Sequence, residues 1–542
     1  MTTVAEKAPT ATLFNYSYTF PPAATPARLP PSIRKIVIVG GGSAGWMTAM
    51  IFANAFIRRG VAIEVLESPS VGIIGVGEGS TPWLRGFFDS LGIEESEWMP
   101  ECNATYKCGI AFEGWSTKPG FESYFHPFAS MLDNLTLTQF VHNADARVNG
   151  ADVHAHPNRF FIASHLADNH FAPKPQRNFP FDVWYGYHFD SVLLGQYLHR
   201  KAVERGVKYT RCHVEGAQLD EQGDIASVSI RDGDPVTADI FVDCTGFAGL
   251  LIEKALATPF VSFSSNLLND AAVAMPTPIG DVIGSRTVST AMRHGWRWSI
   301  PLTSRHGNGY VYSSAFCSAD EAERELRESL GMLDSDTPAR HLKMKIGRVT
   351  RHWNRNCLAV GLAQGFIEPL EATALLFIQR TATAFVEFLE TGDLGDAAHD
   401  RFNERINAHF EGTRDYIVTH YKTNTRRDTD YWRACAANPN LSDSLRRLYG
   451  LWMSGKGIAT EVGQQAIGAG YPVFSWYCIM AGMGIFPDRK DLRAATAAES
   501  RYSMEEIDNL LERSALNFRS QRDVLNDIPK KLVERSLQIY FW

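Results

Sequence analysis

Eight cysteines are scattered through this 542-residue chain and no two form a CxxC pair, so neither a structural zinc nor a disulfide framework is suggested, and no metal is expected. No apolar run approaches the ~20 residues of a membrane-spanning helix, and no membrane partner is expected. Basic residues are the minority, 53 against 60 acidic, for a net charge of −7. A nucleic-acid partner would require a basic face, so none is expected. The N-terminal stretch lacks a basic start followed by an apolar block and is not a secretory signal, which makes a reducing cytoplasm the expected location. Residues 1–33, rich in Pro, Ala and Thr, read as a flexible tail; Phe14, Tyr16, Tyr18 and Phe20 are available to strap it to a surface. No internal repeat or low-complexity block follows. What remains, 45% hydrophobic and 21% charged, is ordinary for a globular protein.

Order begins at Arg34. Lys35 to Val39 (KIVIV) is a β-branched run bounded by glycines, as for a buried parallel strand. Ala44 to Arg59 reads as a helix buried on most sides, and Val61 to Leu66 as a second strand, which makes a βαβ opening. Between strand and helix, Gly40 to Gly45 (GGGSAG) fits GxGxxG. Gly40 permits the tight turn, Gly42 lets backbone approach a pyrophosphate, Gly45 allows close helix–strand packing, and the helix N-terminus at Ser43 and Ala44 attracts negative charge. Glu67 closes the second strand, where an acid accepts hydrogen bonds from an adenosine ribose; read alone it is also an ordinary strand-end carboxylate. Further on, Ile225 to Ile230 and Ile240 to Val242 read as strands and Asp190 to Arg205 as a helix. Beyond Leu375 the pattern is mainly helical, with candidates at Phe377–Leu389, Asp396–Tyr416 and Met504–Arg519.

Ala238 to Gly246 is an apolar strand running into Asp243-Cys-Thr-Gly246, and it resembles the second dinucleotide-contacting strand of FAD-dependent oxygenases. That places Asp243 and Gly246 at the cofactor and favours FAD over NAD. No second GxGxxG serves a nicotinamide cofactor, so the flavin is expected already reduced, as FADH2 from a separate flavin reductase; some hydroxylases nonetheless use nicotinamide without a second fingerprint.

Gly295 to Pro301 (GWRWSIP) contains WxWxIP. In isolation its two indoles and proline would be core packing. Beside the glycine fingerprint, the motif resembles that of the flavin-dependent tryptophan halogenases, and the resemblance covers most of the chain from Lys35. It implies that Trp296, Trp298, Ile300 and Pro301 form a wall beside the flavin that keeps substrate away and suppresses monooxygenation. Gly75 to Pro82 (GVGEGSTP) looks like the family's flavin-contacting strap, which includes Gly77. Asn103 to Ile110 (NATYKCGI) resembles the segment with the catalytic lysine, here Lys107. Phe366 to Thr373 (FIEPLEAT) resembles the segment with the catalytic glutamate, here Glu371, while Thr373 and the backbone of Ala374 match the halide-contacting pair. His126 and Phe128 match positions that flank substrate, and Tyr477 to Gly484 (YCIMAGMG) extends the match into the helical region.

The chemistry implied by the resemblance uses FADH2, dioxygen and chloride or bromide to make hypohalous acid, which Lys107 aims at an electron-rich ring while Glu371 removes the ring proton. Read alone, Lys107 is a surface lysine and Glu371 a helix-start carboxylate after Pro369; His126 is equally a packed histidine, and Cys108 a small packing residue. The family pattern has Ser and Gly where this chain has Ala372 and Ala374. The stretch from Trp452 to Tyr471 lacks the paired tyrosines with which tryptophan-specific members hold the amino acid's polar end, and Gly455, Gly457, Gly463, Gly468 and Gly470 make it look loose. Indole or an indole derivative is therefore expected over free tryptophan. Competing readings are an FAD-dependent aromatic hydroxylase and, more distantly, a flavin-binding sensor or interaction protein. The expected fold is α/β, with an FAD-binding Rossmann-like module of the flavin monooxygenase type over 34–375 interlocked with a mostly helical substrate module over 376–542. Oligomeric state is open, a homodimer included.

Overall fold

Every residue from Ile36 to Val39 is buried, as a strand covered on both faces requires. In the computed structural model, which describes residues 33–72, 75, 77–176, 178–464, 471–489 and 491–528, this strand sits inside a six-stranded sheet. The order is Trp353–Asn354, Cys357–Ala359, Ile240–Asp243, Lys35–Val39, Ala62–Glu67, Lys208–Arg211. All neighbours run parallel except the Trp353–Asn354 edge. Register pairs Ile38 with Val242 on one side and Val65 on the other, which brings the Gly40 turn beside the Asp243 turn. The tail, apart from Ile33, lies outside the described residues, as do Gly468 and Gly470.

The glycine turn leads into the Ser43–Phe56 helix, continued by a 3-10 turn over Ile57–Arg59 and closed by Gly60 at φ +84°, where a glycine is the least strained residue. The Asp190 carboxylate accepts from the amides of Val192 and Leu193 and so caps the Ser191–Glu204 helix. Ile225–Ile230 forms a strand with the expected bounds.

A second, seven-stranded mixed sheet carries the other motifs. Its order is Arg340–Lys343, Ala271–Thr277, His306–Tyr312, Gly295–Pro301, Thr287–Ala291, Gly109–Glu113, Ser123–Pro127. A three-stranded sheet of Glu78–Gly79, Gly186–Phe189 and Thr105–Lys107 adjoins it through Cys108. The later helices run Ala374–Thr391, Asp396–Thr423, Asp430–Ala437, Asp443–Met453, Ala459–Gln464, Val473–Gly482, Met504–Ala515 and Gln521–Asn526. The expected Phe377–Leu389 and Asp396–Tyr416 helices are thus longer at one or both ends, and Met504–Arg519 stops short at Ala515. One hydrophobic core spans Ile33 to Val524 and mixes residues from both sides of Leu375. No helix among the described residues is long and apolar enough to cross a membrane.

Candidate active site

Gly40 lies at φ +116°, and a methyl there would fall 2.2 Å from the Cys244 carbonyl oxygen. One at Gly45 would fall 1.9 Å from the Gly40 carbonyl oxygen, and one at Gly41 2.4 Å from the Glu67 side chain. These three glycines let backbone pack on protein. Gly42 and Gly246 differ, because an added methyl at either would meet no atom within 4 Å. Gly42 is also the N-cap of the Ser43–Phe56 helix, with no side-chain cap among the described residues. The result is a cradle with open space at Gly42 and Gly246 beside a helix N-terminus, whose first N–H groups have no partner within the helix, which fits the pyrophosphate of a dinucleotide. Glu67 leans over Gly41 and accepts from the Tyr209 hydroxyl. Ala44, at the start of the helix, is packed by Gly361.

Asp243, expected to face the cofactor, is fully buried and spent inside the protein. One oxygen accepts from the Thr245 amide (3.0 Å) and hydroxyl (2.6 Å), the other from the amides of Leu251 and Ile252 (both 2.8 Å). It braces the turn that presents Gly246. In the strap, Gly77 takes φ +78° and packs near Gly307 and Arg305, and a methyl at Gly79 would fall 3.2 Å from the Lys107 Nζ. Val76 lies outside the described residues.

Lys107 ends its short strand opposite Gly186 and is fully buried. Its Nζ lies 5.4 Å from the Phe128 ring centroid and has no hydrogen-bond partner among the described residues. Burial pushes the amine down to about 8, against the pull of Glu371; desolvation penalises the charged form, and a nearby carboxylate favours it. Neighbouring Cys108 is buried and its thiol is pushed up to about 12, as expected of a packing residue.

Glu371 closes the 3-10 turn Pro369–Glu371 and is 6% exposed. The chain then passes through Ala372 at φ +54°, a conformation costly for a residue with a Cβ. Thr373 is buried at the start of the Ala374–Thr391 helix, while the Ala374 methyl faces solvent; the first amides of that helix are available to an anion. The His420 Nε2 lies 3.0 Å from a Glu371 oxygen. The His420 Nδ1 donates to the Tyr416 carbonyl at 3.1 Å, so Nε2 presents a hydrogen to the carboxylate only when the ring carries both protons.

His126 is buried, with Nε2 3.2 Å from the Ser475 hydroxyl and both ring nitrogens 3.3 Å from the Tyr416 hydroxyl. Burial pushes it down to about 4, with Glu371 pulling up and His420 and Lys107 pushing down. Lys107, Glu371, His126 and His420 therefore share one interior region. Half-buried Phe128 joins them through Lys107.

On the WxWxIP strand, Trp296, Trp298 and Ile300 alternate onto one buried face. The Trp298 ring lies where a methyl at Gly309 would be, 2.0 Å away. The Pro301 carbonyl accepts from the Thr105 hydroxyl at 2.7 Å, which ties this strand to the one ending at Lys107.

The looseness expected after Trp452 is corrected at Trp452 and Gly455, while residues 465–470 of that stretch lie outside the described residues. Trp452 is buried and its indole donates to the Ile485 carbonyl. Gly455, at φ +75°, packs on Asn149, where a methyl would fall 2.5 Å from the side-chain oxygen, so close packing and backbone conformation select that glycine, whereas Gly457 has room for a methyl beside Asp145 and Tyr477. Gly463 is exposed within the Ala459–Gln464 helix. Tyr471 stacks on Tyr416 with centroids 3.5 Å apart at 11°.

Sequence reasoning missed His420, Tyr416, Ser475, Gly41 and Gly79. The available signal for His420 was its place in the apolar run Tyr416–Tyr421, four residues from Tyr416 and so on the same helix face.

Among known proteins, the family profile described as tryptophan halogenase matches residues 35–499. A 7-chloro-L-tryptophan 6-halogenase of Kutzneria sp. (strain 744) is 37% identical over 475 residues, 83% of this chain and 90% of that one. Among solved structures, a tryptophan C-6 flavin-dependent halogenase (chlorinase) from taromycin biosynthesis superposes with a TM-score of 0.81 at 35% identity, over 91% of this chain and 99% of its own. A flavin-dependent halogenase from Brevundimonas sp. BAL3 does so with a TM-score of 0.78 at 30% identity, over 92% and 99%.

Proposed function

This chain belongs to the flavin-dependent tryptophan halogenase family and is a halogenating enzyme, and from that premise we propose that it halogenates indole or an indole derivative, with Lys107 and Glu371 as its catalytic pair. The observation that carries the pairing is that both groups are buried and interact electrostatically within one interior region. Bound FAD, delivered reduced by a separate flavin reductase, supplies the oxidising chemistry with dioxygen. Gly40, Gly42, Ser43, Ala44, Gly45 and Glu67 hold the nucleotide end, Gly77 and Gly246 line its path, and Asp243 supports it through its turn.

Chloride or bromide is held near Thr373 and the Ala374 amide, where a helix N-terminus favours an anion. Lys107, partly neutral near pH 7–8, directs the electrophilic halogen to the ring either as a hydrogen-bond donor or as the amine itself. Glu371 accepts the ring proton once halogen has added, and His420 orients its carboxylate. Phe128 and His126 flank the ring, and Trp296, Trp298, Ile300 and Pro301 keep it from the cofactor. The preference for indole over free tryptophan is supported by the lack of paired tyrosines between Trp452 and Tyr471 and by the occupation of Tyr471 against Tyr416. The relatives named for tryptophan substrates supply the indole class.

The test supplies FAD, NADH, a flavin reductase, chloride or bromide, and a panel of indoles that includes tryptophan. Halogen isotope pairs in the product mass spectra are expected, strongest away from free tryptophan. A product carrying one extra oxygen regardless of halide would replace this reading with hydroxylation.

A further inference from the structure

Three residues before Glu371 stands a second carboxylate with no role in the chemistry above. Glu368 is fully buried, and donors from three parts of the chain converge on it. One oxygen accepts from the Tyr421 hydroxyl on the Asp396–Thr423 helix and from the Trp296 indole N–H at 3.3 Å. The other accepts from the Asn269 amide at 3.0 Å. Asn269 is itself fixed, since its carbonyl accepts from the Tyr431 hydroxyl at 2.9 Å and its amide also donates to the Tyr421 hydroxyl at 2.8 Å. Glu368 directly precedes the Pro369–Glu371 turn, so the place of its carboxylate sets the place of that turn.

We propose that Trp296 serves halogenation by donating its indole N–H to Glu368, and that this bond anchors the Glu368–Thr373 segment, with Glu371 and the halide-contacting backbone, to the WxWxIP strand. Trp296 and Glu368 are then positioning residues. A wall beside a cofactor requires only bulk, which Phe or Leu also provides. An indole N–H can only donate, and here it meets an acceptor that no water reaches.

Burial pushes Glu368 up to about 7 against the pull of its donors. The titratable groups facing it are Tyr421, and Tyr431 and Cys435 from the Asp430–Ala437 helix; burial pushes all three upward, Cys435 to about 12. Near neutrality only Glu368 changes charge in this cluster. Protonation puts a hydrogen on an oxygen that already faces donors, so the anchor is complete above about 7 and loosens as pH falls through that value.

The inference rests on the halogenase reading, and its test begins with full-length wild-type holoenzyme halogenating an indole; failure there would count against that reading and not against the anchor. In protein carrying 15N-indole tryptophan, the Trp296 resonance, identified by its loss in Trp296→Phe, should move as pH passes through about 7, and Glu368→Gln should remove that titration. FAD affinity should stay within about twofold in both variants, while halogenated product per FADH2 consumed falls by at least about tenfold, as a displaced reacting group predicts. Trp296→Phe combined with Glu368→Leu should be no worse than the poorer of those two single variants, because both remove the same bond, whereas a Gln oxygen at 368 can still accept from the indole. Losses that multiply, or a Trp296→Phe enzyme with full product yield, would overturn the proposal. Should Glu368→Gln fail to fold, benzothienylalanine at position 296, which keeps the bicyclic bulk without the N–H, decides alone: a full product ratio refutes the anchor and a reduced one supports it.

Discussion

Lys107 is a single buried residue that opposes stability. Its folded value of about 8 lies below the ordinary 10.5, so between these values the unfolded chain binds the proton that the folded chain has released. Stability therefore rises with pH from about 8 to 10.5, and below 8 the buried amine costs the fold about 3 kcal/mol. Lys107→Met should abolish halogenation, leave FAD bound, stabilise the protein at pH 7 and remove the alkaline rise in urea unfolding; an unchanged pH slope would place the amine in solvent. The two glycine environments predict opposite failures. Gly42→Val should lose FAD with an unchanged melting temperature, because its side chain fills only the cradle, whereas Gly45→Ala should destabilise the fold through the 1.9 Å clash with Gly40. Equal FAD loss and equal melting shifts in both would refute that division. His420→Phe keeps an aromatic ring beside Phe112 and Tyr416 and loses the contact with Glu371. It should lower kcat by about 10²-fold with KM little changed, the scale of impaired general-base help; a rise in KM alone would reassign His420 to substrate binding.

Among the elements, the strands that carry WxWxIP and the two dinucleotide turns are positioned by contacts distant in sequence. Asp243→Asn replaces an acceptor-only carboxylate bonded to four donors and leaves at least one buried amide unmatched. The expected loss is about 2 kcal/mol or more in denaturant unfolding, with weaker FAD binding as a secondary effect; intact stability with lost FAD would instead return Asp243 to direct contact. These placements also mark what was legible in the sequence. The Lys35–Val39 strand, its glycine turn and helix, and the Ile225–Ile230 strand follow from local periodicity and turn chemistry. The inward turn of Asp243 does not, because it depends on where Leu251 and Ile252 present their amides.

For the whole molecule, the boundary near Leu375 is a change of pattern within a continuous core. The Ala374–Thr391 helix packs on the Ser43–Phe56 helix, and Val473–Gly482 packs on the Ser123–Pro127 strand. Residues 33–373 and 374–528 expressed separately should therefore each lack cooperative unfolding and FAD binding, checked by calorimetry and flavin fluorescence. A stable, flavin-binding first fragment would show two independent modules. The sequence by itself determined the nucleotide fold and singled out Lys107 and Glu371 as the proposed pair, because turns, caps and strand periodicity are local and the motifs are contiguous. Only the tertiary structure decided that Lys107 is buried against Phe128, that His420 meets Glu371 and that Trp296 meets Glu368. Each of those depends on segments tens of residues apart arriving at a dry site, and there the loss of water, which no local pattern records, shifts the charge of groups such as Lys107 and Glu368.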